Sequence, residues 1–88
     1  MCTMIALKAP VTGAGKGAQG WFAVSQVNVG YDHTTFLRNE HALLLDFVNP
    51  ALEPSARVAV ELDLASGKAL LAQLQAAIDA AEQSGYAE

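Results

Sequence analysis

Residues 41–48, His-Ala-Leu-Leu-Leu-Asp-Phe-Val, constrain this chain more than any other stretch. They read as its most apolar strand, which Asn49-Pro50 stops. Leu43, Leu45 and Phe47 share one face, and Leu44 and Val48 share the other. A strand apolar on both faces is a central strand that needs cover on both sides.

Little else in the chain can supply that cover. Of the 88 residues, 52% are apolar, but 17 are alanine, so large apolar side chains are few. This length makes one domain, with a modest core. Residues 2–9 read as a first strand, with Ile5 and Leu7 on one face and Cys2, Met4 and Ala6 on the other. Pro10 limits further pairing. Residues 12–20 hold four glycines and read as a loop between strands.

Residues 21–31 read as a second strand. Phe22 and Val24 set one parity and Val27, Val29 and Tyr31 the opposite one, which predicts a bulge near Ser25-Gln26. Residues 32–40 read as a loop with a few apolar anchors. Residues 57–62 form a fourth strand with Val58, Val60 and Leu62 inward.

The remainder is a helix. Asp63 or Ser66 serves as its N-cap, and Gly85 is suited to end it. Leu70, Leu71, Leu74, Ala77, Ile78 and Ala81 make a single stripe, read as buried. The expected architecture is therefore α+β: a four-stranded, mainly antiparallel sheet followed by one C-terminal amphipathic helix. One helix covers one sheet face. The other face predicts a homodimer, a second copy being the simplest cover.

Charge and cysteine content narrow the function classes. Nine acids against five bases give a net charge of −4, and the bases Lys8, Lys16, Arg38, Arg57 and Lys68 are scattered. Without a basic stripe, nucleic acid is not an expected partner. An anionic membrane surface would repel the chain, and no run approaches the 18 apolar residues of a span. The single cysteine, Cys2, permits no intrachain disulfide, and no basic region precedes an apolar run at the N-terminus. The expected location is the cytoplasm, and no cofactor is expected.

Several residue groups bear on chemistry. Gly13-Ala-Gly-Lys-Gly17 invites a phosphate-loop reading. The residue after Lys16 is Gly17 rather than Ser or Thr, and a strand follows instead of a helix, so a flexible hairpin loop is the better account. Asp32-His33 and Glu40-His41 flank the loop between strands two and three. Antiparallel pairing of those strands brings both pairs to one end of the sheet. Imidazole beside carboxylate is suited to proton transfer near neutral pH, so His33, His41, Asp32 and Glu40 are the candidate catalytic residues.

Asp46 lies on the face opposite His41, between Leu44 and Val48, and needs a partner or a purpose. A structural role, holding a loop backbone or pairing with Arg57, competes with a functional one. Likewise, the histidine pairs compete with plain cross-strand hydrogen bonding. Tyr31, Trp21, Phe22 and Phe36 are candidate walls of a small-molecule pocket beside the histidines; as aromatics they serve equally in a core or dimer interface. A divalent metal is a lesser alternative. It would use His33, His41 and one of Asp32, Glu40 or Asp46, with Cys2 joining if its strand starts at the same end. Their spacing matches no compact metal motif. Cys2 as a nucleophile competes with Cys2 as a small buried hydrophobe. A non-catalytic protein–protein interaction module is the alternative to a ligand or acid–base site.

The opening Met-Cys-Thr-Met-Ile-Ala resembles a family of small bacterial proteins of unknown function. So do Gly-Lys-Gly-Ala-Gln-Gly-Trp-Phe, Tyr-Asp-His, Glu-His-Ala-Leu, Asp-Phe-Val-Asn and Ala-Arg-Val-Ala-Val-Glu-Leu. The resemblance spans nearly the whole chain. It implies a bacterial, single-domain, cytosolic protein and supplies no activity. The family pattern often has proline after Tyr-Asp-His, where this chain has Thr34.

Overall fold

A computed structural model describes residues 5–88. Four strands, β1 (Ile5–Gly17), β2 (Gly20–His33), β3 (His41–Val48) and β4 (Arg57–Leu62), precede one helix, α1 (Leu64–Ser84). The strands form a single sheet in the order β1-β2-β3-β4, each antiparallel to the next. This is the expected α+β architecture. Cys2 and Met4, assigned to the first strand, lie outside the described residues.

The glycine-rich stretch corrects the sequence reading. Residues 12–17 are not a loop: β1 continues through them, pairing Gly13 with Val24 and Gly17 with Gly20. Only Ala18 and Gln19 form the turn, and Gly20 follows with a φ of 111°, a conformation that favours glycine. The glycines inside the strand permit close approach. A Cβ on Gly15 would lie 3.1 Å from Val24 Cγ2 and 3.3 Å from Val58 Cγ2. Small residues thus let the end of β1 press against Val24, Phe22 and Val58. Continuous pairing also removes the phosphate-loop geometry, because Lys16 sits opposite Trp21 in a ladder.

The bulge falls where the parity change placed it, with the extra residue on the other strand. Pro10 pairs with Gln26 and Gly13 with Val24, so Val11 and Thr12 of β1 oppose Ser25 alone. Past this point Val24 stands beside Val58 on the apolar side.

Register then sorts the sheet into two faces. Leu7, Val29, Leu45 and Val60 align across all four strands. So do Ile5, Tyr31, Leu43 and Leu62. The other face carries Asn28, Asp46 and Ala59 in one row, and Gly30, Leu44 and Glu61 in the next. Here Arg57 spans diagonally to Asp46, donating from Nε to Oδ1 at 3.1 Å and from Nη2 to Oδ2 at 2.9 Å.

Asp63 is the N-cap of α1, accepting from the Ser66 N–H at 2.8 Å, and Gly85 ends the helix in the left-handed conformation. The helix is rooted at Gly67, where an added Cβ would fall on Leu43 Cδ1. Leu70 is half-buried, and every helical residue from Leu71 onward is exposed. The stripe expected to be buried is therefore open on its own chain. Among the described residues only Val24 and Ala42 are buried hydrophobics, at 6% and 0% exposure. The apolar pattern is satisfied in register but not in cover.

Candidate functional site

The hairpin of β2 and β3 brings the two histidines together. Asp32 pairs with Ala42 and His33 with His41, at the last rung before the 34–40 loop. Directly opposed residues share a face, and their ring centroids lie 4.8 Å apart with planes tilted by 56°. Two residues back on the same face, Tyr31 places its ring 5.9 Å from that of His41. Tyr31 also stands opposite Leu43, the residue against which Gly67 roots the helix. The cluster therefore lies where the sheet end meets the start of α1.

Asp32 orders one imidazole. Its Oδ1 lies 2.9 Å from His33 Nδ1 and accepts the His33 backbone N–H at 2.8 Å. An Nδ1–H donated to this carboxylate leaves Nε2 as the basic nitrogen. The His33 ring is open to solvent, while Asp32 is the more enclosed partner. Of the two acid–histidine pairs in the sequence, this one forms. Glu40 is exposed, and no hydrogen bond or ion pair ties it to either imidazole among the described residues.

The remaining candidates separate from the cluster. Asp46 takes its structural alternative and binds Arg57, on the opposite face. Trp21 pairs with Lys16 at the far end of β2, twelve positions from His33, so it is no wall of a pocket beside the imidazoles. It lines an open groove with Gly20, Phe22, Leu52 and Glu53. Phe36 is exposed in the loop and faces Glu61 through its backbone. Among the described residues no group of three or more His, Cys, Asp or Glu is placed to hold a metal ion. The two-histidine-one-carboxylate arrangement is therefore not assembled from His33, His41 and Asp32, Glu40 or Asp46. Cys2 lies outside the described residues.

One functional-looking carboxylate escaped the sequence reading. Glu61 accepts three successive backbone N–H groups, from Thr35, Phe36 and Leu37, the last two at 2.9 Å. These bonds, from Leu37 first, then Thr35 and Phe36, hold its carboxyl below the usual range. Thr34 completes the loop by donating its hydroxyl to the carbonyls of Leu37 at 2.9 Å and Asn39 at 2.7 Å. The loop leaving His33 and returning at His41 is thus pinned to β4. Nothing local marks Glu61, because its partners lie 24–26 residues away. The only signal is an acid facing away from the inward row Val58, Val60 and Leu62.

No helix among the described residues is long and apolar enough to cross a membrane. No curated protein and no solved structure matches the chain. A family model does, over residues 1–87, nearly the full length on which the motif resemblance rested. The chain accordingly belongs to that family, described as a family of unknown function (DUF6295).

Proposed function

We propose that this chain acts as a homodimeric small-ligand protein whose site is the Tyr31, His33 and His41 cluster, with Asp32 orienting His33. The observation that carries the reading is the 4.8 Å approach of the two imidazoles beside a carboxylate already bound to one of them. Such a group suits a small organic molecule with a transferable proton. His33 Nε2 is the base, Asp32 fixes the tautomer, His41 supplies a second donor or acceptor, and Tyr31 forms the wall. Glu61 serves the site indirectly, by fixing the loop that connects the two histidines.

The test is a thermal-shift screen of the wild type, His33→Ala and His41→Ala against small organic acids, phosphates and divalent metals. A ligand that raises the Tm of the wild type and of neither variant supports the reading. A wild type that stays flat throughout, or a ligand that stabilises all three equally, refutes it. A second reading, a non-catalytic interaction module, is favoured by the exposed apolar stripe of α1; it predicts the flat response.

A further inference from the structure

The surface of a single chain is too large for a protein of its size. A compact monomer of 9.2 kDa exposes about 4,900 Å². This chain exposes 6771 Å². Its radius of gyration is 14.7 Å, where about 12 Å is expected for 88 compact residues. The excess is roughly 1,800 Å² per chain, or on the order of 3,600 Å² for a pair, within the range of obligate homodimer interfaces.

Two apolar surfaces contribute to it. On α1, Leu71, Leu74 and Ile78 are 66%, 53% and 51% exposed. On the sheet, the row of Leu7, Val29, Leu45 and Val60 has no layer packed over it beyond the helix root at Leu43. Each surface lacks what the other offers: the helix needs a flat apolar bed, and the bed needs a helix. The stripe includes Leu70, Ala77 and Ala81, which makes it wider than a strict coiled-coil seam and suited to a sheet. A helix-to-helix pairing would leave the sheet row in water. A two-fold exchange covers both surfaces at once, with the same contacts made twice.

We infer that the folded unit is an obligate homodimer in which α1 of each chain lies across the Leu7–Val29–Leu45–Val60 row of the other. This deepens the self-association part of the reading above and is independent of the histidine cluster, so failure of one leaves the other standing. Folding and association are then one event, since a lone chain buries only two hydrophobic side chains among those described.

Sedimentation should give twice the 9.2 kDa chain mass at micromolar concentration. The Tm of the wild type should rise with protein concentration, a readout that needs no variant to fold. For the arrangement, chains carrying Cys2→Ser with Ile78→Cys and chains carrying Cys2→Ser with Val60→Cys are refolded together and oxidised. A mixed 78–60 disulfide is expected in place of 78–78 or 60–60 pairs. A monomer with a concentration-independent Tm overturns the inference. So does a dimer that yields only 78–78 disulfides, because that is a helix pair with the sheet row uncovered.

Discussion

Val24→Ala is the substitution whose cost follows most directly from the geometry. Val24 is 6% exposed, beside Val58 and against a glycine whose absent side chain leaves no atoms to refill a gap. Removing two methyl groups forfeits about 1.6 kcal/mol of transfer free energy, at about 0.8 kcal/mol each. A residual cavity raises the loss to roughly 2–3 kcal/mol per chain. For a domain of this size that is a Tm decrease of about 10 °C or more. If the dimer unfolds as a unit, both the energy and the entropy double, and the shift persists.

Urea unfolding at fixed chain concentration measures it. A loss below about 0.5 kcal/mol refutes the reasoning, because that is the range of a solvent-facing substitution. Val60→Ala supplies the comparison. Val60 is 36% exposed in the isolated chain, which predicts a smaller loss than at Val24. Beneath a partner helix the two losses should be equal. The ratio of the two therefore also reports whether the sheet row is covered.

Other consequences are simpler. The loop N–H groups hold the Glu61 carboxyl below its ordinary pKa, so its contribution is present above that ordinary value and lost as pH falls through the lowered one. Glu61→Gln should weaken the acid dependence of urea unfolding in that window, and an unchanged pH profile would show that the loop anchor is idle. A Cβ on Gly30 would lie 2.8 Å from the Ile5 carbonyl oxygen, whereas one on Gly13 meets nothing within 4 Å. Gly30→Ala should cost about 1–3 kcal/mol, and Gly13→Ala should be neutral or stabilise by about 0.5 kcal/mol; thermal melts showing the reverse order would contradict the β1–β2 register. Arg57→Ala breaks the two-pronged bond to Asp46, but Arg57 is exposed and Asp46 only half-buried, so the loss should stay within about 1 kcal/mol and shrink in salt.

How much of this was legible differs by element. The third and fourth strands match their expected bounds residue for residue, because short, mainly apolar runs ended by Asn49-Pro50 and Asp63 leave little freedom. The helix likewise begins at the acid expected to cap it and ends at Gly85. The glycine-rich segment did not read correctly. Local glycine content signals a turn, but here Gly15 and Gly17 serve close packing within a strand, Gly15 against Val58, a residue remote in sequence. The meeting of the two histidines at one sheet end followed from treating the middle strands as a hairpin, but Asp32 and His33, read as loop, are the last residues of β2, and the fate of the acidic neighbours did not follow. Asp32 turns back onto its adjacent imidazole, while Glu40 is exposed and bonded to neither ring among the described residues; local sequence treats the two pairs alike.

By itself, then, the order of residues determined the element types, the antiparallel neighbours and the meeting of the two imidazoles. All of these depend on periodicity and short connections, which act along the chain. Tertiary structure alone decided that Trp21 stands away from the histidines and that Asp46 is bound to Arg57. It also decided that the apolar stripe of α1 leaves its own sheet uncovered. Periodicity states which side of a helix avoids water; it carries no information on which surface, or which chain, provides the shelter.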